Sequence, residues 1–168
     1  VLPRYSLLDA RQTPAGCHRS SASRFLTLFG CYIGSFTLKG GTFIGNGGKD
    51  CLMQFYACDA TLVEVSGCRF DSIHGDVIHV QRTGNFLFRD NVLEHLWMHG
   101  VTVDYFSPGA EIAGNRFRDT GVLMDQTFCL QLRGGSFSVH DNLFTDFTYG
   151  AIGIGTFYKE RVPVSASG

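Results

Sequence analysis

The chain has 168 residues, a net charge of −1 at pH 7, and 44% hydrophobic and 17% charged residues. These values fit a single globular domain, exclude a disordered chain, and argue against a protein built to bind DNA or anionic membranes. Glycine (21 residues) and phenylalanine (15) are abundant, whereas lysine and glutamate, which usually cover helix surfaces, number 3 and 4. The composition therefore predicts short strands joined by tight turns and excludes a helical bundle.

The first part of the chain differs in pattern from the rest. Residues 11–24 are rich in Ser, Arg, Pro and Cys, which indicates a loop. In residues 25–28, Leu26 and Leu28 stand two positions apart, as the inward residues of a strand do. We therefore expect residues 1–33 to form an N-terminal segment with an incomplete coil or cap.

One repeated pattern organises residues 34–157. It reads apolar, any, apolar, any, Gly or Asp, then Asn, Cys or Gly, any, and Phe or Leu. It occurs without internal gaps in residues 36–43, 63–70, 86–93, 110–117 and 137–144, at spacings of 27, 23, 24 and 27 residues. A second short strand follows each copy, with the inward pairs Met53/Phe55, Ile78/Val80, Val101/Val103, Leu130/Leu132 and Ile152/Ile154.

A repeat of this length without a helical segment predicts an all-β protein, a parallel β-helix (a single-stranded solenoid) of about five coils of 22–29 residues. Stacked coils place equal repeat positions about 4.8 Å apart. Two internal rows follow: an amide ladder of Asn91, Asn115 and Asn142 with Cys68 on the next rung, and a stack of Phe43, Phe70, Leu93, Phe117 and Phe144.

The two ends of the predicted solenoid carry no amphipathic helix that would cap them. Residues 158–168 are expected to form a C-terminal tail that leaves the solenoid. Five coils at about 4.8 Å make a rod of only ~24 Å. We therefore expect a protein partner or further coils of a longer solenoid to cover the open sheet edges. No apolar run reaches the length of a membrane span.

The segments Gly114-Asn115-Arg116-Phe117 and Asp141-Asn142-Leu143-Phe144 resemble the generic repeat of right-handed parallel β-helix proteins, the pectate-lyase-like superfamily. The resemblance covers roughly residues 34–157 and implies a right-handed solenoid and a secreted or cell-surface location. Members of that superfamily include polysaccharide lyases, glycosidases and epimerases as well as non-catalytic adhesins and phage fibres. The catalytic signatures of those enzymes do not match this sequence, so an enzyme and a non-catalytic module both stay open.

Polar residues on the outer side of the second strands form the candidate site. They fall into two neighbouring rows: Gln54, His79, Thr102, Gln131 and Gly153, then Tyr56, Gln81, Asp104, Arg133 and Gly155. Such groups hydrogen-bond sugar hydroxyls and carboxylates. We expect Arg133 to hold a uronate carboxylate and His79 or Asp104 to transfer a proton. The alternative is an ordinary solvated face with a weak Asp104–Arg133 surface pair.

The predicted substrate-binding residues are the remaining polar side chains that strand alternation places on this outer face: Gln54, Tyr56, Gln81, Thr102 and Gln131. The opposite strand face mixes charges of both signs, which predicts a neutral or packing surface rather than a site. Its members are Thr37, Glu64, Leu87, Glu111 and Ser138, then Lys39, Ser66, Arg89, Ala113 and His140.

No metal site and no cofactor are predicted. His74, His95 and His99 lie near turns, where backbone hydrogen bonds are the usual role of a histidine. Calcium is the ion that the turn carboxylates Asp71, Asp76, Asp119 and Asp125 would suit, although they lack calcium-loop spacing. Asp119 and Asp125 lie in the longest loop, residues 118–127, and could join Asp104 as paired acids. Of the six cysteines, we expect most to be buried thiols, and bridges within the first 60 residues stay open.

These observations predict a carbohydrate-directed β-helix that binds or processes an extended polysaccharide along the outer strand face, as a polysaccharide lyase or glycoside hydrolase if it is an enzyme. Neither nucleic acid nor a membrane is an expected partner. The second hypothesis is a non-catalytic structural or assembly module, a fragment of a longer solenoid or complex.

Overall fold

The alternating apolar residues of the repeats lie in strands that stack in parallel, because each coil places its apolar positions over those of the coil before it. The computed structural model describes residues 26–29, 34–45, 52–56, 60–121, 127–155 and 164–167. Within them the chain forms an all-β parallel solenoid of about four turns, with no helix. The predicted fold class is confirmed, with about four turns where the repeats predict about five coils.

The described residues form thirteen strands. In chain order they are β1 (Leu26–Phe29), β2 (Ser35–Ile44), β3 (Met53–Tyr56), β4 (Leu62–Asp71), β5 (Ile78–Gln81), β6 (Asn85–Arg89), β7 (Val92–Leu96), β8 (Val101–Ala113), β9 (Arg116–Thr120), β10 (Phe128–His140), β11 (Leu143–Phe147), β12 (Gly150–Ile154) and β13 (Val164–Ser167).

The register of the strands matches the alignment of the repeats. In the first stack, β2 pairs with β4, so that Phe43 lies beside Phe70. From there one series of paired strands runs through β6, β8 and β10, and a second runs through β7, β9 and β11. In the second stack, β1, β3, β5, β8, β10 and β12 follow one another. Ile78 pairs with Val101 there, and Val101 pairs with Leu130.

The predicted asparagine ladder is present and is fully bonded along the stack. The side-chain amide of Asn91 donates to Asn115 Oδ1 at 3.0 Å, and that of Asn115 donates to Asn142 Oδ1 at 2.9 Å. The backbone N–H of Cys68 donates to Asn91 Oδ1 at 2.9 Å, which places the cysteine on the next rung. Asn91 and Asn115 have no exposed surface, so the ladder is part of the core.

Aromatic rings stack beside this ladder, as the repeats predict. The rings of Phe43 and Phe70 lie 5.1 Å apart, and those of Phe117 and Phe144 lie 5.0 Å apart, both nearly parallel. Leu93 is fully buried and pairs with Phe70 on one side and Phe117 on the other. The solenoid interior is therefore filled by equal positions of successive coils.

Two corners of each coil use a left-handed backbone conformation. The first corner precedes the ladder position and has positive φ at Gly40, Gly67, Asp90, Gly114 and Asp141. Glycine and aspartate tolerate this conformation better than most residues, which explains the Gly-or-Asp position of the repeat. The second corner follows the Phe-or-Leu position and has positive φ at Ser72, His95, Asp119 and Asp146.

The ends of the stack differ from its middle. At one end β1 pairs with β3, as an incomplete coil would. At the other end β13, within the segment predicted as a tail, pairs with residues 135–138 of β10. The last predicted inward pair, Ile152 and Ile154, is 39% and 53% exposed. Among the described strands none stacks beyond β12, so no described strand covers this pair.

Candidate functional site

Three adjacent strands carry the residues predicted to be catalytic. β5 carries His79, β8 carries Asp104, and β10 carries Arg133. Arg133 pairs directly with Asp104. His79 lies one coil before Asp104 and pairs with Thr102, two residues before Asp104 in the strand. Their neighbours on the inner side, among them Val103 and Leu132, are fully buried and hold the strands in register.

The structure brings these three side chains together around one carboxylate. His79 Nε2 lies 2.8 Å from Asp104 Oδ2, and Arg133 Nε lies 2.6 Å from Asp104 Oδ1. Because an ionised carboxylate only accepts hydrogen bonds, the imidazole donates from Nε2. The carboxylate of Asp104 therefore holds the imidazole by a hydrogen bond and the guanidinium by an ion pair.

The network lies inside the protein surface rather than in open solvent. The side chains of His79, Asp104 and Arg133 are 13%, 6% and 18% exposed. The alternative of an ordinary solvated surface pair therefore does not describe these contacts, since screening by water is weak at such burial. The catalytic role of the three residues stays a prediction.

A second pair of polar side chains adjoins this network and includes a residue that the sequence analysis did not place in the site. The hydroxyl of Thr102, which has no exposed surface, donates to Asp76 Oδ2 at 2.9 Å. Thr102 is the register partner of both His79 and Gln131. Asp76 lies at a turn, two residues before β5. Strand alternation therefore does not predict which way its side chain points.

The other predicted binding residues lie on the same strands. Gln54 is half-buried on β3 in register with His79, and Gln81 is half-buried on β5 in register with Asp104. Gln131 is 8% exposed on β10. The backbone of Tyr56 pairs with Gln81, whereas its side chain lies outside the described part of the chain.

A cleft of about 390 Å³ opens where the outer face reaches the last coil. Its lining consists of Phe128, Gln131, Arg133, Ile152, Gly153, Ile154 and Gly155. Two of these residues are the glycines that end the two predicted polar rows. The cleft is open at Gly155, where an added Cβ atom would meet no atom within 4 Å, whereas the ring of Phe128 covers Gly153.

Phe128 forms one wall of this cleft and was not singled out from the sequence. Its ring packs on the last coil, since a Cβ atom at Gly153 would lie 2.6 Å from it. Its backbone N–H donates to His99 Nδ1 at 2.9 Å, and its ring meets Tyr149 edge-on at 5.1 Å. Phe128 pairs in register with Gly150, so a large ring stands opposite a residue that has no side chain. This pairing is the sequence signal for a ring that packs on the last coil.

The opposite strand face has the character that its mixed charges predict. Lys39 Nζ lies 3.1 Å from Glu64, and Arg89 Nη2 lies 2.7 Å from Glu111. The hydrogen bond from Arg89 lowers the pKa of the Glu111 carboxyl. Charges on this face thus neutralise one another and form no convergent site.

The three histidines considered for metals, and the turn carboxylates Asp71 and Asp76, have other partners. The ring of His74 stacks on that of Trp97 at 3.6 Å, and His95 Nδ1 lies 2.8 Å from Asp71 Oδ1. The hydrogen bond from His95 lowers the pKa of the Asp71 carboxyl. In the described residues no group of three or more His, Cys, Asp or Glu side chains could hold a metal ion. Asp125 lies outside those residues.

Two of the six cysteines, Cys68 and Cys129, lie in the described residues, and both are buried free thiols. Burial raises the pKa of each thiol to about 11, so neither is a ready nucleophile. The other four, including those considered for bridges, lie outside the described residues.

The chain has no match among known proteins in three comparisons: no family model, no curated protein and no solved structure matches it. The described residues also contain no helix long and apolar enough to cross a membrane.

Proposed function

We propose that the protein is a carbohydrate-directed β-solenoid that binds an acidic polysaccharide at the outer face of β5, β8, β10 and β12. The observation that carries the proposal is the Arg133–Asp104–His79 network beside the cleft at the last coil. Clefts with a few convergent polar groups are the usual form of small-ligand sites.

The lining suits a ring with a carboxylate. Arg133 supplies a planar cation that matches the geometry of a carboxylate, and Gln131 supplies both a donor and an acceptor for hydroxyl groups. Phe128 supplies an apolar wall against which the face of a sugar ring can pack. Since Asp104 holds Arg133 in place, little side-chain entropy is lost on binding.

Binding is favoured over processing by the burial of the proton-transferring groups. His79 and Asp104 are 13% and 6% exposed, and a catalytic acid or base must reach the bond that it acts on. Membership of the pectate-lyase-like superfamily, the right-handed coil and the secreted or cell-surface location are parts of this proposal that rest on the sequence resemblance.

A glycan panel tests the proposal. Calorimetry with uronate-containing and neutral polysaccharides should show binding of the uronates alone. Arg133→Lys keeps the charge but loses the planar fork, and should weaken uronate binding by about tenfold or more. Arg118→Lys, the same change at an arginine that is 64% exposed, should leave binding unchanged.

Failure to bind any uronate, with neither new reducing ends nor unsaturated products after incubation, would overturn the proposal. Arg133→Gln is a second variant, which removes the positive charge. Circular dichroism and melting curves will show whether either substitution unfolds the chain. New products that disappear in His79→Ala and Asp104→Asn would instead establish processing.

A structural or assembly module is the second candidate function, and one observation favours it. The last coil exposes large apolar side chains: Leu143, Phe147, Tyr149, Ile152 and Ile154. Contiguous exposed apolar groups beside unpaired strand edges are typical of interaction surfaces. A folded protein that stays monomeric at all concentrations in sedimentation would count against this candidate.

A further inference from the structure

The outer face is not evenly accessible along the stack. Thr102 and Asp104 are 0% and 4% exposed, so the middle of the face offers little surface to a ligand. Space opens at the last coil over Gly155, in the cleft of about 390 Å³, whereas the ring of Phe128 covers Gly153. The accessible part of the predicted site therefore lies at one end of the face.

The side of the cleft that faces the middle of the stack is closed by polar groups. Gln131 and Arg133 stand there, and the Arg133 guanidinium is anchored through Asp104 to the buried network. Phe128 and the two isoleucines of β12 add apolar lining. A ligand that enters thus meets its cationic and amide partners at the inner end of the cleft.

The volume of the cleft limits what it can hold. Sites for small ligands usually measure about 300–1,000 Å³, and this cleft lies near the lower bound. Such a space suits one sugar ring better than several consecutive rings. A long chain lying across the whole face would also have to contact Thr102 and Asp104, which are buried.

We propose that the cleft binds the terminal, carboxylate-bearing sugar of an acidic glycan rather than an internal stretch of it. The proposal rests on the proposed function and adds the part of the glycan that is recognised. The terminal carboxylate meets Arg133, the ring packs against Phe128, and the rest of the glycan leaves over the last coil. A free uronic acid therefore contains all the groups that the cleft recognises.

Competition between monomers and polymers tests this proposal. D-galacturonate and D-glucuronate, with D-galactose as the neutral control, should be titrated by calorimetry against the protein and against its complex with a poly-uronide. At least one free uronate should bind and displace the polymer, whereas galactose should not. The number of protein molecules bound per glycan chain should stay at one when the chain is lengthened.

A substitution that fills the cleft supplies the matched test. A Cβ atom at Gly155 would meet no atom within 4 Å, so Gly155→Trp adds a ring in open space without a backbone clash. It should reduce binding of the free uronate by more than about tenfold. Gly34→Trp is the control, because a Cβ atom there is equally unobstructed and Gly34 lies just before β2, outside the cleft.

Three outcomes decide the matter. Loss of uronate binding in Gly155→Trp, with Gly34→Trp unchanged, supports the terminal site. Undiminished polymer binding in Gly155→Trp, with protein bound in proportion to glycan length, overturns it and leaves the proposed function standing. Absence of uronate and polymer binding in the unmodified protein overturns both.

Discussion

The side chains of Asn91 and Asn115 each join three coils. Asn115 accepts from the backbone N–H of Asn91, donates to the carbonyl of Phe88 at 2.8 Å, and donates to Asn142 Oδ1. The first two contacts lie in the core, where an unpaired polar group costs more than a hydrogen bond gains, and the third is partly buried. The ladder therefore contributes to stability mainly because its removal leaves buried donors and acceptors without partners.

Asn115→Ala tests this role. The change should lower the free energy of unfolding by at least about 1–3 kcal/mol, the cost of one unsatisfied buried polar group. Chemical denaturation of the two proteins measures the difference. Asn85→Ala is the control, since Asn85 is exposed and its amide makes a 3.5 Å contact, and this change should stay within about 0.5 kcal/mol. Equal effects of the two changes would mean that the ladder is not buried in solution.

Cys68 predicts a loss of stability at alkaline pH. Desolvation raises the pKa of its thiol to about 11 in the folded state from 9.0 for an ordinary thiol. The folded protein thus binds this proton more tightly than the unfolded chain, so the contribution is complete below pH 9 and is lost as the pH rises toward 11. A serine hydroxyl does not titrate in this range, so the melting temperature of Cys68→Ser should fall less between pH 8 and pH 10.5 than that of the unmodified protein. Parallel losses in both proteins would contradict the assignment.

At the scale of a strand and its turn, the corners decide where each coil bends. The first corner repeats a left-handed residue just before the ladder, and Gly114 is its example with φ +68°. An added Cβ atom at Gly114 would also lie 2.4 Å from Asp90 Oδ1 in the preceding coil. A side chain there faces both an unfavourable backbone conformation and a close neighbour.

Gly114→Ala should therefore destabilise the protein by about 1–2 kcal/mol, the usual cost of a left-handed conformation for an L-residue. Thermal or urea unfolding will measure the change. Gly34→Ala makes the same substitution where φ is not positive and no atom lies within 4 Å, and it should be neutral or slightly stabilising. A neutral Gly114→Ala would show that the corner relaxes to another conformation.

The strands and their register were predictable because the repeat makes equal positions neighbours. The pairing of Phe43 with Phe70 follows directly from the alignment, and so does that of Val101 with Leu130. The second corner was not predictable, because its left-handed residues include Ser72 and His95 rather than glycine. Their conformation is imposed by the stacked coils and not by the residue type.

At the scale of the whole molecule, the proximity of three members of the candidate site was predictable, but Asp76, Phe128 and the environment of the site were not. Strand alternation placed His79, Asp104 and Arg133 on one face, and the structure joins them. Alternation states which way a side chain points but not what covers it, so the burial of Asp104 was missed. The cleft was missed for a related reason, since the ring of Phe128 reaches over a neighbouring coil.

The position of a coil within the stack also predicts how readily it opens. In a solenoid each coil contacts its neighbours alone, so a coil with one neighbour is less stable than one with two. β12 pairs with β10, whereas β5 pairs with both β3 and β8. Ile154 on β12 is 53% exposed, while Ile78 on β5 has no exposed surface.

Hydrogen exchange followed by mass spectrometry should show this gradient. Amides of β11 and β12 should exchange earliest among the paired strands of the second half of the chain, and those of β5 and the first half of β8 should exchange last. The Asn142→Ala change, on the half-buried end rung of the ladder, should accelerate exchange in β11 while leaving β5 unaffected. Uniform exchange in all these strands would instead mean that the solenoid unfolds as one cooperative unit. Early exchange of β11 together with protection of β12 equal to that of β5 would require a partner or a further coil seated on β12.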